Sequence, residues 1–485
     1  MNPNTRRRQP LPLWTAAEAA LATQGAATGD WAAKGVSIDT RTLKPGDLFV
    51  AIRGVAADGH TYAAQALQKG AAAVVVDRGF AAIPGDAPCL RVADTTQALE
   101  ALGRAARARS KARVVAVTGS VGKTGTKDAL FSVLDRHGQA HATQGNLNNH
   151  WGLPLTLARL PREADFAVLE MGMNHAGEIT PLSMMGRPHV ALITTVEQVH
   201  SEFFSSIEKI ADAKAEIFAG IEAPGWAVLN RDNRMFDRLS AAARAANVGG
   251  ILSFGAGEGA DVRLVDARPD ARGTSVIADI AGERHHYRVG VPGRHWVMNT
   301  LGVLGVCRVL GLDMELSTAM LARLTPPKGR GDRVEVHLAG GLLTLIDETY
   351  NASPAAMAAA IDVLGMSEPG ANGRRIAVLG DMLELGEGAA AAHRGLAKLL
   401  ASRRIDLVFT AGPNMGLLFE DLPREMRGGH AESSDKLAPM TAAAARAGDT
   451  VLVKGSYGMR MGKVLDALMA KRDGNGGHGK AANGE

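Results

Sequence analysis

The chain has 485 residues, 46% of them hydrophobic and 21% charged. That composition excludes a disordered or membrane-embedded protein, and the length predicts about three domains. A net charge of +4 suits an anionic small substrate but is too diffuse to argue for nucleic acid. The two cysteines, Cys89 and Cys307, stand in no paired motif, which excludes a disulfide scaffold and fits a reducing compartment.

At the N-terminus, Arg6, Arg7 and Arg8 precede only a short apolar stretch, so no signal peptide is expected. No apolar run is long enough to span a bilayer. The expectation is a cytoplasmic protein without membrane insertion, acting as a monomer. Residues 1–110 read as a small mixed α/β domain, with short strands at Leu48–Ile52 and Val74–Val76 and an Ala-rich helix near Thr96–Arg109. Residues 111–325 read as a doubly wound α/β domain. Val114–Val117 is a continuous apolar run without alternation, as in a parallel strand buried on both faces. A Gly-containing loop and a helix from about Thr126 follow, and further strands are predicted at Phe166–Leu169, Val190–Ile193 and Trp226–Leu229. Alternating runs between residues 261 and 291 predict antiparallel strands at an edge, closed by a helix from about His295 to Leu310. Thr325–Gly331 is the best linker candidate. Residues 326–470 read as a second, smaller α/β domain of Rossmann-like pattern. It begins with a hairpin around Gly340-Gly341 and continues with strands at Ile376–Leu379, Leu407–Thr410 and Val451–Val453. Residues 471–485, rich in Gly, Lys, Asn and His, are expected to be disordered.

Three places carry chemistry. Thr118-Gly119-Ser120-Val121-Gly122-Lys123-Thr124 lies between a buried strand and a helix. Its backbone amides can form an anion site, reinforced by the helix N-terminus. Lys123 can reach terminal phosphates and the Thr124 hydroxyl can bind Mg²⁺. The usual first glycine position is Val117 here, so the loop is a shortened G-x-x-G-K-T variant. The strand ending at Leu169 runs into Glu170, a carboxylate placed to hold Mg²⁺ beside that loop, since ligands of open parallel sheets bind at the carboxyl ends of strands. His200 follows the next strand. A lone histidine is more often a structural hydrogen-bonder, but beside the loop and Glu170 it is a candidate ligand for a second metal. Ser205 and Glu208 have capping-box spacing. In the helix they would start, Lys214 falls in the gap of a stripe formed by Ile207, Ile210, Ile217 and Ile221. An inward lysine is usually a snorkelling side chain. Fully buried, its pKa would fall, and a neutral amine can react with CO₂ to give a carbamate anion able to bind Mg²⁺.

The set Gly119–Thr124, Asn146-Leu147-Asn148-Asn149, Glu170-Met171-Gly172-Met173-Asn174-His175 and Ala213–Phe218 resembles the Mur ligases. So do Gly293-Arg294-His295 with Asn299, Tyr350-Asn351-Ala352-Ser353-Pro354, Leu379–Gly386 and Val453-Lys454-Gly455-Ser456. The resemblance runs from Ser37 to about Gly462 and is strongest to the branch that joins D-alanyl-D-alanine to UDP-N-acetylmuramoyl-tripeptide. It implies a three-domain ligase of peptidoglycan precursor synthesis: a UDP-precursor-binding domain, a central ATP-binding domain and a C-terminal ligase domain. It implies ATP and two Mg²⁺ ions, one on Thr124 and Glu170, the other on His200 and a carbamylated Lys214. The catalytic set would be Lys123, Glu170, His200 and Lys214. ATP would meet the loop Gly119, Ser120, Val121, Gly122, Lys123, Thr124 and Gly125. Asn299 would contact adenine with His295 nearby, and Asp347 would lie near the ribose. Of Arg330 and Arg333, the resemblance favours Arg333 for the γ-phosphate. Substrate contacts would fall on Ser37, Thr40, Arg41, His60, Asn146, Asn148, Asn149, Tyr350, Asn351, Asp381 and Lys454. The chain departs from the pattern at Gly125, Thr195, Glu197–Val199, Glu348, Ser353 and Tyr457. The alternatives are a sister or folylpolyglutamate-type ligase adding one amino acid, and a nucleotide-binding protein without ligase chemistry.

Overall fold

The computed structural model describes residues 11–54, 57–198, 203–270, 273–326 and 329–471. Among them lie three main sheets. The first joins β1 (Ala26–Thr28), β2 (Gly35–Ser37), β3 (Asp47–Val50), β4 (Ala73–Asp77) and β5 (Cys89–Val92) in the order β1-β5-β4-β3-β2. Side-chain alternation splits its core. Leu48 and Val50 pack on one face with α1 (Thr95–Arg109), and Phe49 and Ala51 on the other. Leu155 and Ala158 of the next domain share the first of these clusters, and the Trp14 indole donates to the Ala158 carbonyl at 2.9 Å, so the two bodies are packed together.

The central sheet holds β6 (Arg113–Thr118), β7 (Ala140–Ala142), β8 (Phe166–Glu170), β9 (Val190–Ile193), β10 (Trp226–Asn230), β11 (Gly250–Gly255), β12 (Val262–Asp270), β13 (Gly273–Ile280) and β14 (Glu283–Val289). Their order is β14-β13-β12-β11-β10-β9-β6-β8-β7. The strands from β7 to β12 pair in parallel, whereas β12, β13 and β14 form the antiparallel edge that their alternating sequence predicts. The uninterrupted apolar run of β6 serves two cores. Val115 and Val117 meet α2 (Lys123–His137) and α6 (Arg294–Val309), while Val114 and Ala116 meet the layer of α3 (Gly152–Ala158), α4 (Ile179–Gly186) and α5 (Ile207–Ala215). Burial on both faces is why this strand lacks polar alternation.

The third sheet joins β15 (Asp332–Leu338), β16 (Gly341–Glu348), β17 (Arg375–Gly380), β18 (Leu407–Ala411), β19 (Arg427–Ala431) and β20 (Thr450–Lys454) in the order β15-β16-β20-β17-β18-β19. Only β15–β16 is antiparallel, and α7 (Pro354–Met366) and α8 (Pro413–Asp421) cover one face. No helix among the described residues is long and apolar enough to cross a membrane.

Two local expectations are corrected. The helix after the loop starts at Lys123 rather than about Thr126, because Gly122 at φ +85° supplies the turn. The cap of α5 is Ser206, not Ser205. Ser206 is extended and its hydroxyl accepts from the Lys209 amide at 3.4 Å. Glu208 is then one position too early in the helix to complete a capping box.

Candidate active site

The loop Gly119–Gly122 is tied to the end of β9. The Ser120 amide donates to the Thr195 carbonyl at 2.8 Å, and the Ser120 hydroxyl exchanges hydrogen bonds with the Glu197 backbone at 2.9 and 3.0 Å. The Thr194 hydroxyl donates to the Val121 carbonyl at 2.6 Å. A Cβ at Gly119 would strike this Thr194 hydroxyl, and one at Gly122 would lie 2.9 Å from the Asn299 amide oxygen. Both positions therefore need glycine for close approach. Gly125 needs it as well: α2 crosses α6 here, and a Cβ would lie 2.7 Å from the Trp296 ring. That contact explains why this chain departs from the usual hydroxyl residue.

Lys123 bends back over the loop, and its ammonium donates to the Gly119 carbonyl at 2.7 Å. Burial lowers its pKa, the carboxylate of Glu170 opposes this, and the positive charge of Arg330 adds to the lowering. Glu170 is 1% exposed at the end of β8. Its Oε1 accepts from the Asn148 side-chain amide at 2.7 Å and the Thr124 hydroxyl at 3.3 Å. Its Oε2 is buried with no hydrogen-bond partner among the described residues. A buried carboxylate oxygen without a donor, beside a threonine hydroxyl, is the donor set of a hard cation. Lys214 is 2% exposed on α5. Burial, with the charge of Lys123, pushes its pKa well below the ordinary lysine value. His200 lies outside the described residues. Asn299 abuts Gly122 as above. His295 lies beside Trp296, ring centroids 5.9 Å apart and planes tilted by 44°, and lines a cavity of about 670 Å³ between the central and third sheets' domains.

From the C-terminal part, Lys454 donates to Glu348 Oε2 at 2.9 Å and to the Asn351 carbonyl at 3.0 Å, fixing the turn after β16. Asp347 accepts from the Thr349 amide at 3.0 Å and its hydroxyl at 2.6 Å, which steadies the same turn. Tyr350 carries the Arg330 guanidinium over its ring, 4.2 Å from the centroid. The two candidate arginines differ in their surroundings: the Arg333 guanidinium contacts the Ser367 hydroxyl at 3.4 Å, whereas the charge of Arg330 contributes to lowering the Lys123 pKa. Asp381 does not present a free carboxylate either. It accepts from the Met415 amide at 2.7 Å and the Asn414 amide at 3.2 Å, capping α8. Asn149 likewise caps α3 through the Gly152 amide at 2.9 Å. Asn146 is exposed, and its carbonyl accepts from the Asn148 amide at 2.7 Å.

The N-terminal sheet and α3 enclose a cleft of about 1400 Å³ lined by Thr40 and Arg41 among others. Two expected residues are not in its wall. Ser37 is fully buried with its hydroxyl donating to the Asp39 carbonyl at 3.0 Å. His60 is 3% exposed, its Nδ1 paired with Asp58 at 2.6 Å and its Nε2 accepting from the Asp77 amide at 3.1 Å. Both hold the frame behind the cleft. Lys34, Lys44, Tyr62, Trp151 and Arg159 line it instead. The two lysines flanking the Ser37–Arg41 segment were a readable signal for an anion. Arg159 and Trp151 reach the cleft only through tertiary folding. Also missed was Glu216, whose carboxylate accepts from the amides of Gly177, Ile179 and Thr180 at 2.6, 3.1 and 3.0 Å and so anchors the segment after β8.

Comparison with known proteins finds relatives along nearly the whole chain. Family models described as Mur ligase family, catalytic domain; Mur ligase middle domain; and Mur ligase, glutamate ligase domain match residues 32–110, 117–307 and 330–457. UDP-N-acetylmuramoyl-tripeptide–D-alanyl-D-alanine ligase of Bacillus subtilis is 34% identical over 439 residues, covering 90% of this chain and 93% of its own length. The ligase of that name from Escherichia coli is 34% identical over 437 residues, covering 89% and 93%. A crystal structure of MurF from Acinetobacter baumannii superposes with a TM-score of 0.81 at 30% identity, over 96% of this chain and 100% of that one. MurF from Thermotoga maritima in complex with ADP gives 0.73 at 28% identity, over 90% and 97%. The chain belongs to the Mur ligase family.

Proposed function

We propose that this chain joins D-alanyl-D-alanine to UDP-N-acetylmuramoyl-tripeptide at the expense of ATP, in the cytoplasmic synthesis of peptidoglycan precursors. The family is ATP-dependent, and the curated relatives carry that activity in their names. The observation that carries the reading is the grouping of Lys123, Thr124 and the partnerless oxygen of Glu170 at the ends of β6 and β8.

A peptide carboxylate is a poor electrophile at neutral pH. Transfer of the γ-phosphoryl group to one of its oxygens gives ADP and an acyl phosphate. The dipeptide amine then attacks the carbonyl carbon, the C–O bond to phosphate breaks, and the amine gives up its proton. Two anions must approach one another, so cations must line their path. The loop amides cradle the phosphates. Lys123 leaves the Gly119 carbonyl to reach them, and Arg330 approaches from the C-terminal side. Thr124 and Glu170 would hold Mg²⁺, whose charge would offset that of the phosphates. Lys214, a buried amine of lowered pKa, would take up CO₂ and release a proton to give a carbamate able to hold a second ion, for which His200 is the expected co-ligand. Asn299, His295 and Asp347 serve the nucleoside. Thr40 and Arg41, with Lys34, Lys44 and Arg159, serve the UDP end. Asn148, Tyr350, Asn351 and Lys454 shape the junction where the peptides meet.

The test is phosphate release from ATP in the presence of the UDP-linked tripeptide, comparing D-alanyl-D-alanine with single amino acids as acceptor. Release with the dipeptide alone is expected. Equal or greater release with a single amino acid defeats the assignment.

A further inference from the structure

Arg330 sits between two glycines that only a left-handed backbone explains, Gly329 at φ +75° and Gly331 at φ +102°. This stretch is pinned to the end of β16 at two points. The Tyr350 amide donates to the Gly329 carbonyl at 3.1 Å, and the Gly331 amide donates to the Asp347 carbonyl at 2.8 Å. Those bonds fix the backbone but leave a long side chain free to swing. What limits it is the ring beneath. The Arg330 guanidinium lies 4.2 Å from the Tyr350 centroid, and Tyr350 meets Tyr457 with centroids 6.1 Å apart at 53°. Tyr457 is itself 75% exposed, so a large aromatic is kept at the surface with little burial to hold it there. It opens a short turn directly after β20, whose Lys454 anchors the Tyr350 turn from the other side.

We propose that Tyr350, with Tyr457 tilted against it, forms a positioning support for the Arg330 guanidinium stacked on its face and so aims Arg330 at the transferred phosphoryl group. The stack rests on the phosphoryl-transfer reading above. An arginine plane laid on an aromatic face keeps its N–H edge free for phosphate oxygens while its rotation is restricted. Tyr350 is the ring that sets the plane, and Tyr457 is the outer ring that keeps Tyr350 from turning. Neither ring touches the reacting atoms; both act through the guanidinium.

Double-mutant cycles on the full-length enzyme in steady-state ligation test this. Tyr350→Leu should lower kcat about ten-fold with the KM for ATP within about two-fold, and Tyr350→Phe, which keeps the face, should recover most of the loss. Tyr457→Ala should lower kcat about three-fold. In an Arg330→Ala background, Tyr350→Leu and Tyr457→Ala should cost almost nothing more, because the cation they aim is gone. Should Tyr350→Leu fail to fold, Arg330→Lys replaces it. An ammonium keeps the charge but not the plane, so kcat should fall about ten-fold and become insensitive to Tyr457→Ala. Losses that multiply in the cycle, as a merely structural role would give, overturn the stack. So does wild-type kcat in Tyr350→Leu or Arg330→Lys while Arg330→Ala is impaired, and the ligase reading then stands. Wild-type kcat in Arg330→Ala removes Arg330 from the site and the stack with it.

Discussion

Lys123 and Lys214 are both lysines whose pKa burial lowers, yet the structure gives them different work. Lys123 holds a carbonyl of its own loop and has Glu170 nearby to sustain its charge. Lys123→Ala should cut ligation at least about 100-fold, the scale of losing one preorganised charge at a phosphoryl site. An unchanged circular-dichroism spectrum would show the fold intact. Lys214 has the charge of Lys123 against it, and its depressed pKa makes it a destabilising residue in the folded chain. The unfolded state binds the extra proton, so that penalty is greatest below the ordinary lysine pKa and shrinks as pH rises toward it. Lys214→Met should therefore stabilise the protein by about 1–3 kcal/mol near neutral pH while abolishing activity. The stability gap from wild type, read from denaturant midpoints, should narrow toward alkaline pH. Lys214→Ala should in turn regain part of its activity with formate or acetate; a variant that stays dead with both, or is fully active without them, would refute the carbamate.

At the scale of elements, the strands that carry the glycine loop and Glu170 were legible because burial on both faces leaves an unmistakable apolar run, as in Val114–Val117 and Phe166–Leu169. β11 and β19 were not. β11 is bounded by glycines at 250 and 255, and β19 reads Arg427-Gly428-Gly429-His430-Ala431, so neither has an apolar run of its own. Their strand conformation comes from pairing with β10 and β18. The same limit explains Asp381 and His60. The family resemblance marked them as candidates, but only the folded chain shows that helix and strand amides occupy their polar atoms. Asp381→Ala should lower stability by about 1–3 kcal/mol by stripping the cap from α8, checked by thermal or denaturant unfolding. Gly119→Ala joins element and site. Its Cβ would meet the Thr194 hydroxyl at the end of β9, so the loop must leave its cradle. It should cost about 1–3 kcal/mol and weaken nucleotide binding, measured by calorimetry.

For the whole molecule, the proposed site draws on residues of three bodies. Glu170 and Lys123 belong to the central sheet, Arg330 and Lys454 to the third, and the cleft of Thr40 and Arg41 to the first. No stretch of sequence states those distances. The motifs identified the parts, while telling Arg330 from Arg333 required the fold that lays one over the Tyr350 ring and the other against Ser367. A ligand spanning two bodies should act on stability as a clamp. A non-hydrolysable ATP analogue at about 100 times its Kd should add about 2.7 kcal/mol to unfolding by mass action. The increment should depend on a divalent cation, since the buried Glu170 Oε2 has no donor and would otherwise face a triphosphate. Adding EDTA should thus remove most of the nucleotide's effect on the melting temperature while leaving the ligand-free protein nearly unchanged. Glu170→Gln offers the complementary measurement. It puts an amide in place of the cation-binding oxygen, so its melting temperature with nucleotide should be the same with and without EDTA. If the analogue stabilises wild type equally in EDTA, then the carboxylate at the end of β8 holds no ion and the site must neutralise phosphate with Lys123 and Arg330 alone.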